Sequence, residues 1–291
     1  MKLPWFRRNF ISRRWLDRCF LDIPDAVLRT LTGRAHWPPY SLRAFVGGAR
    51  DFEQVGAWFL NEFKGRGLFS RGDRVLDIGC GSGRLAYALA TDSDLIAFEV
   101  TYVGMDVDAS SVRWCARHIT PENPKFTFIQ ADCYNASYNP HGKIAPENYR
   151  FPFPDGSFDI ILLSSVLTHV LAPEMRHYIA ETARLLAPGG RAYTSFFLYK
   201  SAKEAAAGST RHGIAFPFER EGYALHREDY PSNAVAYQED YVRAIVEQSG
   251  LCVREPTLYG IQDVLYLTKA VSKQLRSGNL RTDGHGSPLW P

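Results

Sequence analysis

Residues 75–86 read VLDIGCGSGRLA: an apolar run, Asp77, then glycines at 79, 81 and 83. Alternating glycines behind a strand let the backbone approach a ligand closely and reach conformations that other residues avoid. A dinucleotide fingerprint needs its third glycine at position 84, where the helix packs on the strand, and position 84 is an arginine. The pattern is instead acid-x-G-x-G-x-G. Such a turn requires no pyrophosphate and suits an uncharged ribose with an amino-acid chain. Asp77 can accept hydrogen bonds from turn amides or from a ligand ammonium. Cys80 reads as a small turn residue, because nothing basic except Arg84 lies near it in sequence to depress its pKa.

Elements on either side must position that turn. From Arg74 onward, short apolar runs alternate with helical segments. The runs are RVLDIG, TYVGMDVD, KFTFIQAD, FDIILLSS, RAYTSFFL, LCVREP and DVLYLTK. The intervening helices are expected over 84–91, 109–118, 174–186 and 238–249, the third introduced by Pro173 and ended by Pro188-Gly189-Gly190. This alternation predicts an α/β fold, a doubly wound, Rossmann-like, mostly parallel seven-stranded sheet. Two stretches interrupt it: 134–157, and an insertion after the fifth strand over 199–236, too long for a simple connection. Upstream, Asp51 is placed to cap a helix carrying Phe52, Val55, Phe59 and Phe63 on one face.

The division expected is an N-terminal helical lid over 1–50, a ligand-binding domain over 51–270 that includes the 199–236 lid, and a loosely held tail over 271–291. The first twenty residues carry six basic residues and one acid, interleaved with Trp5, Phe6, Phe10, Trp15 and Phe20. Ile11, Trp15 and Cys19 recur every four residues, an amphipathic helix expected to stop near Pro24, with a second from Asp25 to Gly33. It could close over a pocket or touch a membrane surface, and the lid is the favoured reading.

The 291 residues carry a formal charge of +3, which does not by itself argue for nucleic acid. No apolar run of about 18 residues suggests a membrane span. Five scattered cysteines without CxxC pairing indicate neither a disulfide framework nor a zinc site, and no metal is expected. The charged, aromatic start lacks a signal-peptide core, so the expected location is the cytoplasm.

With these motifs in order, the sequence from about Asp51 to Lys269 resembles the class I S-adenosylmethionine-dependent methyltransferases. That resemblance implies S-adenosyl-L-methionine as cofactor. It implies Asp77, Gly79, Cys80, Gly81 and Gly83 in the cofactor turn, and Asp106, ending YVGMD, on the ribose hydroxyls with Val107 against the adenine. In QADCYN it implies Asp132 accepting from the adenine amino group and Cys133 donating its amide. In FPFPDGSFDIILLSSVLTHV it implies a strand end, with Ser164, beside the methionine moiety.

Methyl transfer from a sulfonium is an in-line displacement, so the protein mainly positions the acceptor and, for a hydroxyl, removes its proton. His169 follows the fourth strand by a few residues, and an imidazole titrates in the range that work requires. It is the candidate base, with Tyr134, Tyr138, His141, Tyr199, His212 and His226 as rivals for acceptor binding. Methyltransferases acting on nucleobase amino groups carry [D/N]-P-P-[Y/F/W] after the fourth strand, whereas this chain reads Leu163-Ser164-Ser165-Val166. No Lys/Arg stripe runs through the core either, which argues against a nucleic-acid partner. The expected activity is methylation of a small molecule, foremost O-methylation of a sugar or natural-product hydroxyl. N- or C-methylation, and a non-catalytic cofactor-binding regulator, are the alternatives. Oligomeric state is not legible.

Overall fold

The computed structural model describes residues 16–44, 51–207 and 212–271. The expected start of the N-terminal helix, at Ile11 and Trp15, and the tail from Ser272 lie outside the described residues. Strands β1 (Arg74–Ile78), β2 (Thr101–Asp106), β3 (Phe126–Gln130), β4 (Phe158–Leu163) and β5 (Leu186–Tyr199) form a parallel array in the order 3-2-1-4-5. The carboxyl-terminal strands β9 (Leu251–Leu258) and β10 (Asp263–Lys269) are antiparallel, and β10 inserts beside β5. β1 is buried along four of its five residues, as expected of a strand covered on both faces.

Helices cover the two faces. Helix α1 (Asp22–Leu31) and the single turn α2 (Tyr40–Arg43) precede α3 (Phe52–Gly65), which packs against α4 (Arg84–Thr91). Phe63, Leu89, Tyr102 and Ile160 fill the core on that side. On the other side, α7 (Ala172–Leu185) and α9 (Glu239–Gln248) bury Met175, Ile179 and Val242 against Leu76, Ile161 and Phe196. Between these lie α5 (Ser93–Ala97), α6 (Ala109–His118) and α8 (Ala202–Ala207). Asp108 starts α6 by accepting from the amides of Ser110 at 3.2 Å and Ser111 at 3.0 Å.

The sheet holds ten strands rather than seven. The extra three, β6 (Phe218–Arg220), β7 (Tyr223–Leu225) and β8 (Val235–Gln238), lie inside the 199–236 insertion. They are three or four residues long, too short to show a period in sequence. Their one local signal is Glu221-Gly222, a two-residue hairpin turn with Gly222 at φ +80°. β8 joins the main sheet only through Phe197–Tyr199, parallel to the far end of β5.

Other expectations are corrected by local chemistry. The expected break near Pro24 falls at Leu21, between a helical stretch ending at Phe20 and the separate helix α1. Pro24 sits in the first turn of α1, where its missing N–H costs no intrahelical bond, and α1 runs on to Leu31. Asp51 occupies the capping position of α3 without a side-chain cap bond. Helix α7 begins two residues earlier than expected, with the Leu171 amide bonded to Glu174 at 2.6 Å. Pro188-Gly189-Gly190 does not end a helix: α7 stops at Leu185, and the three residues form a bulge in β5 opposite Phe158–Ile160 of β4.

Candidate functional site

A cavity of about 1160 Å³ opens at the carboxyl ends of β1, β2 and β4, where open α/β sheets bind ligands. Pockets for one small molecule hold roughly 300–1,000 Å³, so this one has room for two. At one end the chain leaves β1 through Gly79, Gly81 and Gly83, all at positive φ. A Cβ on Gly79 would stand 2.4 Å from Cγ2 of Val166, so only glycine leaves clearance there. A Cβ on Gly83 would meet Ile119 at 2.7 Å and Cys115 at 2.8 Å, so that glycine serves packing at the start of α4.

One acid braces the turn and a second is buried at the end of β1. The Asp106 carboxylate accepts from the Gly81 amide and from the Asp108 amide, each at 2.8 Å, and lines the cavity. Asp77 is buried and accepts from the Tyr102 hydroxyl at 2.5 Å. Burial, and secondarily the nearby Asp106, pushes its pKa up to about 7 against the bond from Tyr102. A ligand cation beside Asp77 would restore its charge. Ser82 was not singled out in the sequence; its hydroxyl is buried, lines the cavity and has no hydrogen-bond partner among the described residues. Glycine clearance, two carboxylates and an unused hydroxyl fit a ribose-bearing, ammonium-bearing ligand.

Asp77, Gly79, Cys80, Asp106, Val107, Ser164 and His169 are brought together on the cavity wall. Gly81 acts through its amide on Asp106. Asp132 and Cys133 are not among the lining residues, although Ala131 before them is. The Asp132 carboxylate is half-exposed and accepts from the Lys143 amide at 3.2 Å, closing the loop that follows β3. Cys133 is buried, which raises its thiol pKa to about 11.

His169 ends a single 3₁₀ turn after β4 (Leu167–His169). Its Nδ1 lies 3.2 Å from the carbonyl oxygen of Ser232, in the insertion. A carbonyl only accepts, so Nδ1 carries the proton and Nε2 keeps a lone pair. Burial holds the pKa below the usual imidazole value. Of the rivals, Tyr138 alone lines the cavity. His212 is buried, its ring nitrogens 3.1 and 3.0 Å from the carbonyls of Ile261 and Leu198 with Asp263 at 3.2 Å, and it fastens the insertion to β5 and β10.

Sequence reading missed the far wall. Trp58, Phe59 and Phe63 of α3 line it together with Tyr193 and Leu258, and Phe59 and Phe63 pack edge-on against the Tyr193 ring, at 6.2 and 4.9 Å between ring centres. The aromatic face of α3 was legible, but as core. Ser165, at φ +59°, donates its amide to Ser195 Oγ at 2.8 Å, and both serine hydroxyls donate to Gln262 Oε1, at 2.9 and 2.8 Å. A non-glycine residue held at positive φ beside a cavity is a common mark of a functional site. The Gln262 amide nitrogen donates to nothing among the described residues.

Residues 75–190 match the family model of a methyltransferase domain. Together with the Rossmann-like sheet and the glycine-and-acid cradle, this makes the stretch a class I S-adenosylmethionine-dependent methyltransferase domain, with S-adenosyl-L-methionine as cofactor. The chain is similar to 27-O-demethylrifamycin SV methyltransferase of Amycolatopsis mediterranei, 31% identical over 44% of this chain and 39% of that protein. It is 34% identical to the arsenite methyltransferase of Aquipseudomonas alcaligenes over 43% of this chain and 32% of the relative. Against ubiquinone biosynthesis O-methyltransferase of Vibrio cholerae the identity is 29%, over 51% and 52%. The matched region thus spans about half or less of these relatives. Among solved structures, PH0226 protein of Pyrococcus horikoshii OT3 aligns over 78% of this chain and 93% of its own, at 13% identity and TM-score 0.53. The [4+2]-cyclase SpnF aligns over 75% and 82%, at 16% and 0.50. These two speak for the fold alone.

The Asp106 carboxylate gives a direct test of the cofactor end. Asp106→Ala removes an ionised acceptor, so cofactor affinity should fall by about 1.5–3 kcal/mol, roughly 10- to 100-fold. Calorimetry with S-adenosylhomocysteine measures it, and unchanged affinity would place the ribose elsewhere.

Proposed function

We propose that this protein transfers a methyl group from S-adenosylmethionine to a hydroxyl of a small natural product with an apolar body. The observation that carries this reading is His169: it stands on the wall of the cavity that holds the glycine-and-acid cradle, and the Ser232 carbonyl fixes it as the Nδ1–H tautomer. Bound cofactor supplies an electrophilic methyl on its sulfonium. The chain supplies the rest: Asp106 and Asp77 hold the ribosyl and amino-acid ends, and the aromatic wall of α3 seats the acceptor and excludes water. His169 Nε2 takes the hydroxyl proton as the oxygen attacks.

An aromatic or polyketide-like acceptor fits the wall of Trp58, Phe59, Phe63 and Tyr193 better than a sugar does. The lining is mostly apolar, with Glu62, Asn135, Tyr138, Ser164 and Gln262 among the polar groups a sugar would have to use. The rifamycin and ubiquinone relatives are O-methyltransferases by name, and they support the same atom. The test is a screen of hydroxylated aromatics and sugars with methyl-labelled cofactor, reading label transfer and product mass together. Transfer to a phenolic or polyketide hydroxyl is expected. Labelled products on nitrogen or carbon alone would overturn the assignment, and tight cofactor binding without transfer to any acceptor would favour a regulator.

A further inference from the structure

Helix α1 is amphipathic, and it docks in the reverse of the ordinary sense. Its polar face binds the segment that follows it, residues 35–43. The Asp22 carboxylate accepts from the amide and hydroxyl of Ser41, both at 2.8 Å, and Asp25 accepts from the Tyr40 amide at 3.0 Å and from Arg43. Arg29 donates to the carbonyls of Ala35 at 3.0 Å and Trp37 at 2.5 Å. Ser41 and Arg43 are buried beneath it. The apolar face is left outward. At 100° per residue Phe20, Pro24, Val27 and Leu31 form one stripe, flanked by Ile23 and Leu28. Phe20 is 68% exposed, Ile23 72% and Leu31 80%, and α1 buries no residue at all. A surface helix normally turns such a stripe to the core. Nor does this one roof the cavity, since none of the described residues before Asp51 lines it.

The charge beside the stripe says what would cover it. Lys2, Arg7, Arg8, Arg13, Arg14 and Arg18 stand against Asp17 alone in the first twenty residues, whereas the whole chain nets only +3. In sequence, a concentration of positive charge therefore precedes the apolar stripe. Two copies of so basic a segment would repel one another. An anionic surface would attract them. A large apolar face beside a concentrated basic segment is the combination that seats a helix in a lipid headgroup layer, with the apolar side chains reaching the acyl boundary.

We propose that α1 docks this protein on anionic phospholipid bilayers, with Phe20, Ile23, Val27, Leu28 and Leu31 inserted. Membrane binding of this kind is independent of the methyltransferase reading. The full chain should sediment with vesicles of mixed phosphatidylcholine and phosphatidylglycerol at least about tenfold more strongly than with phosphatidylcholine alone, and raised salt should erode the difference. The double variant Val27→Asp, Leu31→Asp should partition about tenfold more weakly or worse, because two exposed apolar anchors become charged. Arg18→Glu, which touches no apolar anchor, should also weaken binding to the anionic vesicles. Failure to sediment with anionic vesicles, equal sedimentation with neutral ones, or undiminished binding by the double variant overturns the proposal. So does a concentration-dependent dimer that the double variant abolishes while vesicles are ignored, which would make a second copy the occupant.

Discussion

His169→Ala should slow methyl transfer at saturating cofactor by about 100- to 10,000-fold, the usual cost of a lost acid–base group, while cofactor affinity stays near the parental value. The reasoning rests on the tautomer. With Nδ1–H committed to the Ser232 carbonyl, Nε2 is the nitrogen able to accept a proton, and truncation to alanine removes it. The parent enzyme should show the matching pH dependence. Only neutral imidazole accepts a proton, so turnover falls as pH drops through the folded pKa. Burial places that pKa below the ordinary value of about 6.5, so full turnover should persist into mildly acidic solution before it declines. Single-turnover rates and cofactor titration on the same variant separate catalysis from pocket shape. A variant with weaker cofactor binding but a full saturated rate would remove His169 from the chemistry.

Gly79→Ala should damage the cofactor site and the fold together. The residue sits at φ +78°, which costs a residue with a Cβ roughly 1–2 kcal/mol. The new methyl would meet Cγ2 of Val166 at 2.4 Å, and valine is stiff at χ1, so it cannot swing aside cheaply. Overpacking of that kind costs about 1–3 kcal/mol. Denaturant unfolding should show a combined loss of roughly 2–5 kcal/mol, and S-adenosylhomocysteine should bind about 100-fold more weakly as the turn is displaced. Adding Val166→Ala should recover the packing share but not the backbone share, which a double-mutant cycle resolves. Parental stability and affinity in Gly79→Ala would show that the turn relaxes freely.

What could be read from the residues, and what could not, follows physical lines. That Asp77, Gly79, Asp106 and Val107 would meet at one cavity was legible, because glycines and acids at fixed spacing behind strand ends form a pattern local in the chain. Helices 84–91 and 109–118 were legible to the residue, because apolar period and caps are local too. Asp132 shows the limit. An acid at a strand end serves a ligand or its own loop equally well, and here its carboxylate is turned to the Lys143 amide. The Ser165–Ser195–Gln262 node joins residues up to 97 positions apart, and no local pattern announces such a meeting. Reversed docking of α1 was also invisible: periodicity reveals an apolar stripe, but not which way it will face.

One consequence concerns how sequences of this kind can drift. None of the described residues of the 199–236 insertion lines the cavity, yet the insertion reaches His169 through the Ser232 carbonyl. That acceptor is backbone, so replacing the Ser232 side chain leaves it in place, while a single-residue deletion between Tyr230 and Val235 would carry it away. The segment is therefore tolerant of substitution and intolerant of changes in length. Among descendants of this chain that keep the activity, residue identities around 232 should scatter freely while the count of residues between β7 and β8 stays constant.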